Sequence, residues 1–258
     1  MCNENIKKLP FWETIGRSFK YVLKNNRLLL ALLPVVVGLT VIQALIGMPI
    51  MCAYNESFCT EGWQQTVSSA ILVLVAVGVI ISYCRSIICK ENVEVISLKF
   101  LKRVVLYILW SMILTFVIGI PMALLIVILS LTGVATNILL LVTSLAFLLL
   151  GVVFAPLVVA FPALAVDDYK IVKISKLFSL AKGNKMSIFF GQLAIMVPYL
   201  ILSNTFIYTY IFIGVNHYVV NLLFVMITAF LSVLDVSFRG AFFAHIYQFL
   251  KYYDKDKK

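Results

Sequence analysis

The chain has 258 residues and a formal net charge of +10, yet only 12% of it is charged and 63% is hydrophobic. Soluble domains lie near about 45–50% apolar and about 25% charged, so this composition, with a mean hydropathy of +1.07, excludes an ordinary water-soluble globule. Nucleic-acid binding is a poor reading of the positive charge, because the basic residues are dispersed and no recognisable nucleic-acid module accompanies them.

In chain order, residues 10–27 form a basic amphipathic segment. Trp12, Ile15, Phe19, Val22 and Leu23 recur at helical spacing while Glu13, Arg17, Lys20 and Lys24 mark the other side, which predicts a short interfacial helix in the membrane surface. A first apolar run follows at 28–50. It is too long for a signal peptide and has no small-residue cleavage site, so it reads as a retained span, and Met1-Cys2 lacks the export region of a lipidation signal. Further spans are predicted at 67–88, 104–131, 138–166, 186–214 and 219–249. Between Arg103 and Asp167 no Asp, Glu, Lys or Arg occurs, which leaves room for two crossings at roughly 20 residues each.

Pro34, Pro121, Pro156, Pro162 and Pro198 fall inside these spans and predict kinks, since proline removes a helix donor and crowds the preceding turn. Most such breaks are structural bends; in some transporters they open backbone to a substrate. Two further leader segments echo the first, at 92–103 and 167–185, so a basic polar segment precedes each of three helical hairpins. In the last of them Asp167 and Asp168 suit a helix start, Ile171, Ile174, Phe178 and Ala181 form a stripe, and Gly183 suits a stop.

The 21 Lys and Arg fall in four groups, six before Leu28, five over 85–103, five over 170–185 and five from Arg239 onward, and the connections at 51–66, 132–137 and 214–218 hold none. Because Lys and Arg are retained on the cytoplasmic side during insertion, this predicts an even number of spans with both termini inside. The basic faces could recruit anionic lipid at the cytoplasmic face; the plainer reading, favoured because no clustered run of four or more Lys or Arg occurs, is that they enforce topology and solvate that face. Cys52 and Cys59 share the first outer connection, which permits a disulfide if the loop doubles back, two free thiols being the alternative. Cys84 and Cys89 lack metal-site spacing and a His partner, so no metal is expected.

Asp235 and Arg239 stand four apart on the last span and share a helix face. A charge at bilayer depth costs about 2.5–3.5 kcal/mol on insertion scales, which favours a pair facing protein or a water cavity. With a span starting at Val219, Arg239 reaches the inner interface as an anchor; with a start nearer Val225, the pair lies well inside. Gln43, Gln192 and Asn204 are lone amides amid apolar residues, suited to interhelical hydrogen bonds or to lining a path. There is no His-Glu-x-x-His run, Gly-x-Ser-x-Gly elbow or phosphate-cradling Gly-rich Lys loop. No catalytic constellation is visible, and no cofactor is expected.

The exit of the fourth span carries a more specific pattern. Phe161-Pro162-Ala163-Leu164-Ala165-Val166-Asp167-Asp168, followed by Lys176-Leu177-Phe178-Ser179-Leu180-Ala181-Lys182-Gly183-Asn184, resembles the central junction of the YciC-like bacterial inner-membrane family and of the membrane domain fused to some bacterial glycerophosphodiester phosphodiesterases. The resemblance implies a bacterial inner-membrane protein and carries no catalytic residues across.

The expectation is therefore an all-α polytopic membrane protein, one domain over 1–258, with six transmembrane helices, short amphipathic interfacial helices and both termini cytoplasmic. The expected role is that of an accessory or envelope-maintenance protein acting through the lipid bilayer, anionic lipid or protein partners, without nucleic acid. A small transporter or channel subunit is the alternative, and an intramembrane enzyme a distant third.

Overall fold

The computed structural model describes residues 8–25, 29–30, 33–34, 36–38, 41, 62–91, 97–133, 135–213 and 218–255. Its helices are α1 (Phe11–Lys24), α2 (Gly62–Ile88), α3 (Leu98–Leu131), α4 (Thr136–Phe154), α5 (Ala160–Ala165), α6 (Ile174–Leu180), α7 (Lys185–Ile213) and α8 (Tyr218–Lys255), with a 3-10 turn at Ala155–Val159 between α4 and α5. Hydrocarbon offers no water to backbone N–H and C=O groups, so apolar segments of this length satisfy them internally as helices.

Among the described residues, five stretches are long and apolar enough to cross a membrane: Ala70–Ile88, Leu98–Leu131, Thr136–Ala165, Lys185–Thr205 and Met226–Tyr252. The chain is an all-α, multi-pass membrane protein. The predicted first span at 28–50 lies mostly outside the described residues, although the positions described within it, such as 36–38, are helical.

The fourth predicted span is one crossing in three pieces. Pro156 sits in the first turn of the 3-10 segment and Pro162 near the start of α5. The Trp110 indole N–H donates to the Leu157 carbonyl at 3.0 Å within that break. Pro121 and Pro198, by contrast, lie inside α3 and α7, which continue through them. The break turns the chain so that Phe161 stacks on Tyr107 of α3 at 4.4 Å and on Phe243 of α8 at 6.0 Å between ring centroids.

The core gathers at the end of the bundle where the basic residues lie. Val77 to Ile87 of α2, Ala155 to Ala165, Ile188 and Phe189 of α7 and Ala241 to Leu250 of α8 supply most of it. Away from that end α3 and α4 are apolar all round and exposed, with Phe116, Leu124, Leu141 and Leu149 facing outward. That is the surface expected of helices bounded by lipid, whose tails are as apolar as leucine.

The amphipathic segment forms α1, and this helix packs on α8 and α7. Its buried face is Thr14, Ile15, Ser18 and Val22, while Trp12 and Leu23 of the predicted stripe are 77% and 66% exposed. Two small hydroxyl residues thus replace two bulky ones on the docked side. Thr14 and Ser18 satisfy their hydroxyls on the carbonyls one turn back, Pro10 and Thr14, at 2.8 Å each, which lets α1 approach closely without orphaned polar groups. Phe19 packs on Phe238 at 4.2 Å, the Tyr21 and Ser86 hydroxyls meet at 2.7 Å, and the Leu9 N–H donates to Asn184 Oδ1 at 2.7 Å.

α8 approaches α2 closely at Gly240, where an added Cβ would lie 3.1 Å from Ile80 Cα and 3.1 Å from Tyr83 Cβ. Backbone cannot yield as a flexible side chain would. Gly240→Ala is expected to destabilise the folded protein in detergent by about 1–3 kcal/mol. Gly119→Ala, at a helical site with nothing near its Cβ, is expected to be neutral or stabilising by up to about 1 kcal/mol. Thermal or denaturant unfolding of both variants decides the matter, and equal effects would remove the close-approach argument.

Candidate functional site

The polar residues of the basic end converge where the chain leaves α5. Asp167 has φ +60°, and its N–H donates to the Leu164 carbonyl at 3.3 Å while that of Asp168 donates to Ala163 at 2.9 Å. This is the paired closure of a Schellman motif, in which the left-handed position usually falls to glycine. Aspartate tolerates that conformation better than most residues, and here its side chain has work that glycine could not do.

The Asp167 carboxylate accepts from Arg103 Nε at 3.0 and 3.1 Å and pairs with Arg103 Nη2 at 2.6 Å; Tyr169 Oη donates to it at 2.9 Å, and Arg85 Nη1 lies 3.7 Å away. Arg85 also donates to the Ala165 carbonyl at 3.2 Å and pairs with Glu91. Arg85 belongs to the end of α2 and Arg103 to the first turns of α3, so one carboxylate at the exit of a hairpin closes on that hairpin's own entry and on the end of α2. The hydrogen bonds from Arg103 hold the Asp167 carboxyl below its ordinary range, against the upward push of partial burial, with Tyr169 and the charge of Arg85 adding to the effect. The adjacent Asp168 accepts from Tyr247 Oη at 2.6 Å and Lys251 Nζ at 2.7 Å of α8. Burial pushes its carboxyl up, but the bonds from Lys251 and Tyr247 outweigh it and the net shift is down. Gln248 Nε2 of α8 donates to the Ile87 carbonyl at the end of α2 at 2.9 Å.

A second polar group lies deeper. Arg239 Nε donates to Asp235 Oδ1 at 3.0 Å and Arg239 Nη2 lies 2.5 Å from Oδ2, so the predicted pair is closed. Asp235 keeps 5% of its side chain exposed and Arg239 35%. At 1.5 Å per residue, Asp235 lies about 18 Å along α8 from Tyr247 at the basic end. Gln192 sits on α7 level with this pair, since Gly191 abuts the Phe242 ring and Tyr199 meets Ser232 at 3.1 Å. Its Nε2 is buried with no hydrogen-bond partner among the described residues.

Asn204 does not bridge helices: its Nδ2 donates to the Leu200 carbonyl of its own helix at 2.7 Å on an exposed face. Gln43, Cys52 and Cys59 lie outside the described residues. Asp167 and Asp168 do not start a helix either, because α6 begins at Ile174; they end the helix before it. Charge patterning treats Arg85 and Arg103 as topology signals and misses their convergence. A signal was present, in that Asp167 and Asp168 are the only acidic residues between Glu94 and Asp235.

No group of three or more His, Cys, Asp or Glu that could hold a metal occurs among the described residues. The depression lined by Val158, Val159, Pro162, Ile188, Phe243 and Ile246 is apolar. What the polar residues do here is join helices. Comparison with protein-family models, with curated proteins and with solved structures finds no match to this chain.

Two expected outcomes follow from these pairs. Asp235→Ala leaves Arg239 without its counter-charge and is expected to cost about 3 kcal/mol, much of it recovered when Arg239 is also made apolar. In a double-mutant cycle on stability in detergent, a coupling above about 1 kcal/mol supports the buried pair, and additivity within about 0.5 kcal/mol refutes it. Because the Asp167 carboxyl is held low when folded, it contributes stability above its unfolded pKa of about 3.9 and loses it as pH falls through the folded value. Asp167→Asn is expected to be less stable than the parent at pH 7 and to close that gap in acid. A gap that stays constant with pH would show that the carboxylate charge is not what holds the clasp.

Proposed function

We propose that this chain is a non-catalytic, multi-pass protein of the bacterial inner membrane, with its basic end in the cytoplasm, acting as an accessory or envelope-maintenance component through lipid or protein partners. The observation that carries this reading is the use made of the charged groups. Arg85, Arg103, Asp167, Asp168, Glu91 and Lys251 close upon one another and hold helices together, while a set of lysines and apolar side chains at the same end faces outward. A rigid basic end with an outward cationic rim suits a protein that binds its surroundings rather than one that transforms a substrate. The positive-inside rule supports the orientation, and the likeness of residues 161–184 to the YciC-like junction supports the compartment.

A transporter or channel subunit is the second reading, favoured by the Asp235–Arg239 pair within α8 and by Gln192 Nε2, which has no partner among the described residues, near the level of Arg239. Flux into liposomes that disappears in Asp235→Asn would select it over the first.

Reporters fused after Lys258 or inserted within 170–185 are expected to read cytoplasm, and one between Cys52 and Cys59 the outside. A cytoplasmic signal from the latter position would overturn the six-span orientation. Affinity purification from native membranes, with lipids and proteins identified together, tests the role, and a reproducible partner or an enriched lipid class is the expected result.

A further inference from the structure

Two segments remote in sequence share one pattern. Residues 98–102 read Leu-Lys-Phe-Leu-Lys and residues 169–173 read Tyr-Lys-Ile-Val-Lys, and neither 98–103 nor 169–174 contains an acidic residue. The fold brings them together, since Lys102 Nζ lies over the Tyr169 ring at 5.6 Å from its centroid. Tyr169 is itself held by its hydroxyl on Asp167 at 2.9 Å, and Asp167 is held by Arg103. The platform is thus fixed from behind by the clasp. Lys99, Lys102, Lys170 and Lys173 are all exposed, with no acidic partner among the described residues. Leu98, Leu101 and Ile174 stand out beside them at 85%, 53% and 60% exposed.

Exposed lysines alternating with exposed apolar side chains, at the end of spans that stop here, fit a boundary that is oily on one side and anionic on the other. We propose that the surface formed by the start of α3 and the 169–174 segment is a binding site for an anionic phospholipid, with the lysines on its phosphate headgroup and Leu98, Leu101 and Ile174 against its acyl chains. The proposal rests on the lipid limb of the function proposed above. It assigns that limb to one place among several basic surfaces.

The test is native mass spectrometry of the full chain released from micelles doped with phosphatidylglycerol or phosphatidylcholine. The parent is compared with a patch variant, Lys99→Gln, Lys102→Gln, Lys170→Gln and Lys173→Gln, and with a charge-matched control, Lys8→Gln, Lys20→Gln, Lys24→Gln and Lys90→Gln. The parent is expected to bind phosphatidylglycerol in preference to phosphatidylcholine. The patch variant is expected to lose at least about tenfold in affinity for the first phosphatidylglycerol, a near-surface lysine being worth about fivefold, while the control stays close to the parent. Equal losses in both variants, or loss in the control alone, overturn this site and leave the broader lipid reading standing. A parent that does not discriminate between the two lipids overturns both.

Discussion

The carboxylate of Asp167 closes the entry and exit of one helical hairpin upon each other and ties both to the end of α2. Arg103 arrives at the head of α3, Arg85 at the foot of α2, and Asp167 itself at the end of the broken span. Arg103 keeps only 4% of its side chain exposed, so it is a desolvated cation whose burial is tolerable only while its counter-charge is in place. The left-handed backbone at Asp167 fits that need. Glycine there would relax the turn but leave two arginines facing one another, which is a larger cost than the roughly 1–2 kcal/mol of an unfavourable φ.

This arrangement matters more in a membrane than it would in water. Lipid tails solvate apolar side chains as well as other helices do, so burying leucine does not bring helices together; close packing and polar contacts must. The structure divides accordingly. Where α8 meets α2, Gly240 admits the backbone of the neighbouring helix, and Gly191 of α7 receives the Phe242 ring. Where α3 and α4 extend away from the basic end, large side chains face outward and the contacts thin out. The clasp, the Asp168–Lys251 pair and the Gln248–Ile87 bond lock the end at which packing is dense.

The five spans from residue 67 onward were legible because hydropathy is a local property and the observed helices end within a few residues of the predicted bounds, as at Ile88, Leu131 and Lys185. The Asp235–Arg239 pair was legible for the same reason, since helical periodicity alone places residues four apart side by side. The clasp was not, because Arg103 and Asp167 are 64 positions apart, at the entry and exit of one predicted hairpin, and charge patterning counts the arginines as topology signals without saying which carboxylate they meet. Two acids in a row after a proline-broken helix read as a start signal under the capping rules, yet the same residues can occupy the left-handed position that ends a helix. Only the positive φ at Asp167 separates the two. On α1 the hydrophobic stripe marked a real face, but Thr14 and Ser18 form part of the docked side because small hydroxyls bonded to their own helix admit a closer neighbour than Trp12 or Leu23 would.

Broken membrane helices serve transport when the backbone freed by the break faces a cavity or a ligand. In the 155–165 segment the named groups have protein partners instead. The Leu157 carbonyl accepts from the Trp110 indole, the Ala165 carbonyl from Arg85, and Phe161 is stacked between Tyr107 and Phe243. Every residue from Ala155 to Ala165 is buried. The break therefore acts as a bend that seats the middle of the bundle. The polar atoms left over lie elsewhere, at the level of Arg239, where a third of the arginine side chain remains exposed beside a buried carboxylate and the Gln192 amide has no described partner.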